Sequence, residues 1–157
     1  VSSLDDVSAQ NQSMYMDTIR DFERIADHAQ NLFDFFEHRY DAKQILSKEA
    51  KESLTTLYDY VHASMDLTLK AFKDHDENAA NEVLEREDII DKMVRDYRKQ
   101  HIIRINNNQK IGSEENLFVD ILSNVERIGD HCQNIAINIL QDSYYPDVVL
   151  LKDKNPA

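Results

Sequence analysis

Residues that interrupt helices are nearly absent from this chain. Its 157 residues include two prolines and two glycines, and both prolines, Pro146 and Pro156, lie in the last dozen positions. Nothing in the preceding 145 residues forces a helix to break. The glycines, Gly112 and Gly129, stand 17 positions apart, which excludes a P-loop and a dinucleotide-binding fingerprint. A β-rich domain would need more turn residues, so the sequence predicts an all-α protein.

Apolar residues recur at helical spacing in four long segments. The segments are residues 9–40, a stretch that begins after Ser47, residues 76–107 and residues 113–142. Ser47 is a suitable N-cap. Because the connections are short, about four to six residues, we expect successive helices to be antiparallel neighbours. The prediction is one domain, an antiparallel bundle of about four long helices over residues 1–142, followed by a polar, proline-containing tail at 143–157.

The charge is strongly acidic, with 30 Asp and Glu against 18 Lys and Arg and a formal net charge of −12. Nucleic acids and anionic membrane surfaces are therefore excluded as partners, since their binding depends on clustered Lys and Arg. No apolar stretch approaches the roughly 20 residues of a membrane span. An excess of carboxylates instead attracts basic surfaces or hard metal ions.

A ten-residue element occurs twice, 103 positions apart. Residues 22–31 read FERIADHAQN and residues 125–134 read VERIGDHCQN, so seven of the ten positions are identical. The three positions that differ exchange apolar or small residues. Core packing would keep the apolar pattern but has no need of the same polar residues. The repeated polar residues therefore indicate a shared polar task.

Each copy of the element carries a glutamate and an aspartate four positions apart, and a third such pair lies on the third predicted helix. Residues at this spacing share a helix face, where two carboxylates repel each other and favour a counter-cation. Oxygen ligands suit Mg, Ca, Mn or Fe, and zinc is also compatible. The third pair can lie opposite the second copy on an antiparallel neighbour. The predicted metal ligands are Glu23, Asp27, Glu87, Asp91, Glu126 and Asp130. With 30 acidic residues in the chain, chance pairs on a solvated face are the alternative.

Four further polar residues of the element are predicted to steady these carboxylates: Arg24, Arg127, Asn31 and Asn134. Plain surface ion pairs explain the arginines equally well.

The histidines and the cysteine of the element fit other roles. His28 and His131 directly follow the aspartates, so they point elsewhere on the helix and are expected to form hydrogen bonds or to pack. Cys132 lies in the apolar stripe and is expected in the core. As the single cysteine it cannot form an internal disulfide, which fits a reducing compartment.

The segment from Glu126 to Ala136 resembles the signature of the PhoU family of phosphate-signalling proteins, and residues 23–31 resemble the same element of a preceding repeat. PhoU-like domains consist of two three-helix repeats whose acidic pairs bind metal clusters. The resemblance implies that residues 47–142 form one complete repeat and residues 9–40 the last helix of the first. It also implies that two helices of that first repeat are missing from the chain, which leaves apolar surface that favours a homo-oligomer.

The resemblance implies a metal-binding regulatory domain that controls inorganic phosphate transport, without enzymatic activity, and that binds Fe, Mn, Zn, Ni or Mg. Its expected partner is a phosphate transporter or that transporter's membrane domain. PhoU-like domains occur as free regulators and as C-terminal cytoplasmic domains of Na⁺/phosphate cotransporters. The first residue, Val1, is not an initiator Met, which favours the second context and a cytoplasmic location. The alternatives are a metal-dependent phosphate-ester hydrolase and a purely structural bundle.

Overall fold

The computed structural model describes residues 2–41, 46–108 and 114–141. These residues form four α-helices and no strand: α1 (Ser2–Asp41), α2 (Lys48–Asp74), α3 (Glu77–Asn108) and α4 (Glu114–Gln141). The predicted all-α bundle is therefore confirmed. The predicted tail at 143–157 lies outside the described residues. No helix in the described part of the chain is both long and apolar enough to cross a membrane.

The helix boundaries follow from local capping. Ser47 caps α2 as predicted, with its Oγ accepting a hydrogen bond from the Ala50 N–H at 3.1 Å. Asp76 does the same for α3, since its Oδ1 accepts from the Ala79 N–H at 2.9 Å. α1 begins at Ser2, earlier than the predicted position 9, because no proline or glycine stops the helix there.

The turn between α2 and α3 is made by His75, whose φ of 53° and ψ of 43° place it in the left-handed region. This conformation ends a helix, and the His75 N–H donates to the carbonyl oxygen of Ala71 in the last turn of α2. α2 and α3 consequently form a tight antiparallel hairpin.

Helix α4 is the centre of the bundle. Its backbone lies close to those of α1, α2 and α3, and α2 also lies against α3. As predicted, α2 packs closely on α3 and α3 on α4, whereas the backbones of α1 and α2 lie farther apart. These two helices meet through side chains, such as the edge-to-face rings of Phe22 and Phe72 at 5.4 Å. Hydrogen bonds between His28 and Asn124 and between Asp21 and His131 instead hold α1 against α4.

The core is built around residues of α2, α3 and α4. The largest fully buried side chains include Phe118, Leu57 and Ile90. Cys132 is also fully buried, with its Sγ 3.2 Å from the Met65 Sδ, and burial raises the pKa of its thiol to about 11. The predicted core position of this cysteine is confirmed, and its thiol remains protonated at neutral pH.

Candidate metal centre

Three of the predicted ligands converge between α3 and α4. Glu87 and Asp91 project from α3 and Asp130 from α4, and one carboxylate oxygen of each lies within 4.8 Å of the others. The i, i+4 spacing places the first two on one face of α3, and the antiparallel packing of α4 supplies the third. We call these three residues the acidic triad.

Glu87 is the buried member of the acidic triad. The residue is 3% exposed, and its Oε1 has no hydrogen-bond partner among the described residues. Burial, together with the nearby charges of Asp130 and Asp91, raises the pKa of its carboxyl group from 4.5 to about 8. A buried carboxylate with one unpaired oxygen and two carboxylates beside it is costly to ionise, unless a proton or a cation compensates its charge.

Gly129 makes room for the Glu87 carboxylate. A Cβ added to this glycine would lie 2.7 Å from the Glu87 Oε2, which is closer than non-bonded atoms approach. The equivalent residue in the first copy of the repeat is Ala26. The difference between glycine and alanine at this position therefore has a structural reason that the sequence alone did not show.

Glu126 lies beside the acidic triad but is held by an arginine. Arg98 on α3 donates from its Nη2 to the Glu126 Oε2 and to the Ser123 Oγ, both at 2.9 Å. Sequence reasoning missed Arg98. A signal was present, because Arg98 follows Glu87 by 11 residues, or about three helical turns, and so shares its face of α3. The charge of Glu126 also contributes to the raised pKa of Glu87.

The polar residues of the repeat join α1 to α4. The Asp21 Oδ1 lies 2.8 Å from the His131 Nδ1 and accepts a hydrogen bond from the Asn134 amide at 3.3 Å. His131 and Asp21 are both mostly buried. A charge-assisted pair of this kind fixes the spacing of the two helices.

The other half of this contact repeats the same arrangement. The Asn124 Oδ1 lies 3.1 Å from the His28 Nδ1 and accepts from the Asn31 amide at 3.3 Å. Positions 21 and 124 are themselves 103 apart, like the two copies of the repeat. The imidazole rings of His28 and His131 stack between the two halves, with centroids 5.5 Å apart. α1 and α4 are thus related by an approximate two-fold axis, and the predicted hydrogen-bonding role of the histidines is confirmed.

The family model of the PhoU domain matches residues 54–139, more than half of the chain. The chain belongs to the PhoU family. The match covers all of α3 and most of α2 and α4, and so includes the acidic triad. Searches among curated proteins and solved structures gave no match. The PhoU domain points to the regulation of phosphate transport, and the family is regulatory and non-enzymatic.

The acidic triad of this PhoU domain fits a metal ion. Its donors are carboxylate oxygens on two rigid helices, and the unpaired Oε1 of Glu87 is a buried acceptor that lacks a donor among the described residues. A cation would satisfy that atom and offset the repulsion between the three carboxylates. Glu87, Asp91 and Asp130 are therefore the residues that would hold the ion.

The carboxylates of the first copy are placed differently. Glu23 and Asp27 are both exposed on α1, and α3, which carries Glu87 and Asp91, does not pack against α1. The acidic groupings found in the described part of the chain include neither Glu23 nor Asp27. The structure thus brings together three of the six predicted ligands, with Glu126 next to them.

The four residues predicted to steady the ligands also differ in position. Arg24 and Arg127 are exposed, whereas Asn31 and Asn134 direct their amides across the α1–α4 contact. The arginine that does contact a motif carboxylate is Arg98. Helix–helix packing therefore accounts for part of the polar identity between the two copies.

Proposed function

We propose that this PhoU domain is a metal-binding regulatory domain that controls inorganic phosphate transport, with Glu87, Asp91 and Asp130 as the metal ligands. The observation that carries the proposal is the buried Glu87 carboxylate. Its Oε1 has no hydrogen-bond partner in the described part of the chain, and the carboxylates of Asp91 and Asp130 lie beside it. An all-oxygen donor set suits Mg, Mn or Fe, and the site also accommodates the borderline ions Zn and Ni. Glu126 is available as a fourth ligand when it separates from Arg98.

The ion would act as a clamp between α3 and α4. Without a cation, the negative charges of Asp91 on α3 and Asp130 on α4 oppose close packing of these two helices, and Arg98 offsets the charge of Glu126 alone. With a cation bound, the same residues hold the helices together. The state of the site would in this way determine how firmly the hairpin of α2 and α3 is attached to α4, and so which surface the domain presents to its partner.

The partner in this proposal is a phosphate transporter, or the membrane domain of one fused to this chain, acting with the PhoU domain at the cytoplasmic side. Family membership supports this role, since the PhoU domain points to phosphate transport regulation. The acidic surface, with a net charge of −12, favours a basic docking face on the transporter.

Metal binding is tested by calorimetry and elemental analysis after incubation of the purified chain with Mn, Fe, Zn, Ni or Mg. We expect the wild type to bind at least one of these ions and the double variant Asp91→Asn, Asp130→Asn to bind none. The double variant Glu23→Gln, Asp27→Asn removes the same number of charges from α1 and serves as the matched control. A wild-type chain that stays metal-free with all five ions would refute the metal proposal.

Regulation is tested separately in cells whose chromosomal gene for this protein carries the Asp91→Asn, Asp130→Asn substitutions. We expect phosphate uptake to lose its normal response to external phosphate, while the Glu23→Gln, Asp27→Asn cells respond more nearly as the wild type does. An unchanged response in cells whose domain no longer binds metal would contradict the regulatory part of the proposal.

A further inference from the structure

Helices α1 and α2 both pack on α4, but their backbones lie apart, and two depressions lie between them along α4. The smaller depression is formed by Met14 of α1, Phe72 of α2 and Asn138 of α4. Asn138 is in the last turn of α4, which ends at Gln141. A chain that leaves the end of α4 can therefore enter the space between α1 and α2 directly.

The larger depression lies towards the other end of α4, between the last turns of α1 and the first turns of α2, and we call it the apolar groove. Its volume is about 260 Å³, and it is open to solvent. Phe36 is 48% exposed and Tyr58 is 57% exposed on its two sides. The apolar lining residues include Leu32, Phe36, Leu54, Tyr58, Ile121 and Val125. A concave apolar surface of this kind fits an occupant with aliphatic side chains.

The sequence after α4 contains a segment of this chemistry. Residues 148–151 read VVLL, and we call them the apolar quartet. They lie outside the described residues. Pro146 disfavours a helical backbone at the residue before it, so the stretch that leads from α4 to the apolar quartet favours an extended chain.

The length of this stretch matches the distance to the apolar groove. Val125 and Ile121 form the base of the groove and precede Gln141 by 16 and 20 residues, which is about 24 and 30 Å along α4. The apolar quartet follows Gln141 by 7 to 10 residues, and an extended chain of that length spans up to about 24 to 34 Å. A chain that turns back at the end of α4 thus brings the apolar quartet over Val125 and Ile121.

The charge at the groove and the tether favour the same occupant. Lys51 is a charged residue at the groove, and Asp153 follows the apolar quartet by two positions. A short tether also gives the segment an effective concentration on the order of 1 mM at the groove. A free partner or a second copy reaches such a concentration only when it is abundant, so the tethered segment has the advantage.

We propose that the apolar groove is the docking site of the apolar quartet of the same chain, with Asp153 paired to Lys51. The docked segment ties α1 to α2, two helices whose backbones do not approach each other in the described structure. It thereby fastens α1 to the hairpin of α2 and α3. This inference does not depend on metal binding or on the regulatory role proposed above.

A tryptophan reporter tests the docking in the full chain, because the sequence contains no tryptophan. Leu150→Trp and Leu151→Trp are prepared separately, since side chains alternate along an extended segment and one of the two positions faces the groove. We expect at least one of these reporters to show blue-shifted emission and severalfold less quenching by acrylamide than Ala157→Trp. The last variant places the same probe beyond the docked residues of the same segment.

Substitutions in the lining show where the reporter binds. Tyr58→Asp is expected to remove the blue shift, and Phe36→Asp on the opposite side should do the same. Leu69→Asp changes a leucine of α2 that is 48% exposed and does not line the groove, so it should leave the blue shift unchanged. Lys51→Glu is expected to increase quenching severalfold, whereas Lys48→Glu, near the start of α2, should not. Circular dichroism checks that each variant keeps its helices.

Three outcomes would overturn the proposal. The first is quenching of both reporters as complete as that of Ala157→Trp, because the apolar quartet is then in solvent. The second is a blue shift that Tyr58→Asp, Phe36→Asp and Leu69→Asp affect equally, because the segment then docks elsewhere. The third is a blue shift that disappears on dilution as a dimer dissociates in sedimentation, because the occupant then comes from a second copy.

Discussion

Glu87 and Gly129 show how one buried carboxylate limits the residues around it. The glutamate occupies space that any larger residue at position 129 would fill, so the metal proposal and the choice of glycine are linked. Glycine within a helix normally costs about 1 kcal/mol relative to alanine. Its presence in the middle of α4 is explained by the position of the Glu87 Oε2.

Substitution Gly129→Ala tests this link. The added Cβ displaces the Glu87 carboxylate, so we expect metal affinity to fall by at least tenfold in titration calorimetry. The improved helix propensity, about 1 kcal/mol, offsets part of the cost in unfolding free energy. The reverse change in the first copy, Ala26→Gly, is the control and is expected to lower stability by about 1 kcal/mol without altering metal affinity. Equal metal affinity in Gly129→Ala and the wild type would count against the position assigned to Glu87.

The raised pKa of Glu87 predicts how the metal-free chain responds to pH. The pKa of this carboxyl group is about 8 in the folded chain and ordinarily 4.5. The folded state therefore holds an extra proton between these pH values. The stabilisation that this extra proton gives the folded state is fully present below about pH 4.5 and is lost as the pH rises through 8. In EDTA, we expect the wild type to lose about 1.4 kcal/mol per pH unit between pH 5 and 7, relative to Glu87→Gln.

Urea unfolding at several pH values measures this difference. Glu85→Gln, at an exposed position of the same helix, is the control and is expected to keep the wild-type pH dependence. If Glu87→Gln and the wild type show parallel pH profiles, Glu87 is ionised in the folded chain and the buried site is not as described.

At the level of the helices, the α1–α4 contact is internally symmetric. Asp21 and Asn124 occupy equivalent places and accept from equivalent histidines and asparagines. Substitution Asp21→Ala leaves the His131 Nδ1 and the Asn134 amide without their partner, so we expect a loss of about 1–3 kcal/mol in urea unfolding. Asp21→Asn is expected to cost less, because asparagine fills the same place at position 124.

Asp17→Ala is the matched control for this prediction, since Asp17 lies one turn earlier on α1 and forms an exposed pair with Arg20. A surface pair of this kind contributes about 0–1 kcal/mol. If the Asp17 and Asp21 variants lose the same stability, the α1–α4 hydrogen bonds do not hold these helices together.

The elements also show what the sequence could and could not predict. The four helices and the Ser47 cap follow from local spacing and capping, which depend on neighbouring residues only. The partner of α1 could not be predicted, because a short connection fixes which ends lie close together but not which faces pack. The pairing of Glu126 with Arg98 depends on the register of α3 against α4, and this register is set by the whole core.

For the candidate site, the i, i+4 rule predicted Glu87, Asp91 and Asp130 because the three residues lie on facing sides of adjacent helices. The same rule gave Glu23 and Asp27, which lie exposed on a helix that α3 does not approach. Spacing thus identifies carboxylates that share a face of one helix. Whether a second helix packs against that face and completes a site depends on the tertiary structure.

For the molecule as a whole, the net charge of −12 and the acidic triad act in the same direction, since both favour a state with a bound cation. An ion that binds only the folded chain stabilises it by mass action, by about 2.7 kcal/mol when its concentration is 100 times the dissociation constant. We expect the melting temperature to rise with the bound metal in the wild type and in Glu23→Gln, Asp27→Asn, but not in Asp91→Asn, Asp130→Asn. An equal rise in all three chains would show that the ion binds elsewhere.

The same ion has to compete with a proton on Glu87. Because the pKa of this carboxyl group is about 8, the metal-free folded chain at pH 6 to 7 holds the proton, and metal binding must release it. We therefore expect metal affinity to rise about tenfold per pH unit from pH 6 towards 8. Calorimetry in buffers of different ionisation enthalpy should report the release of about one proton per ion at pH 6.5. Any metal binding that remains in Glu87→Gln should occur without this proton release, whereas metal binding to Glu85→Gln should still release the proton. An affinity independent of pH in the wild type would mean that Glu87 is not a ligand, even if Asp91 and Asp130 bind the ion.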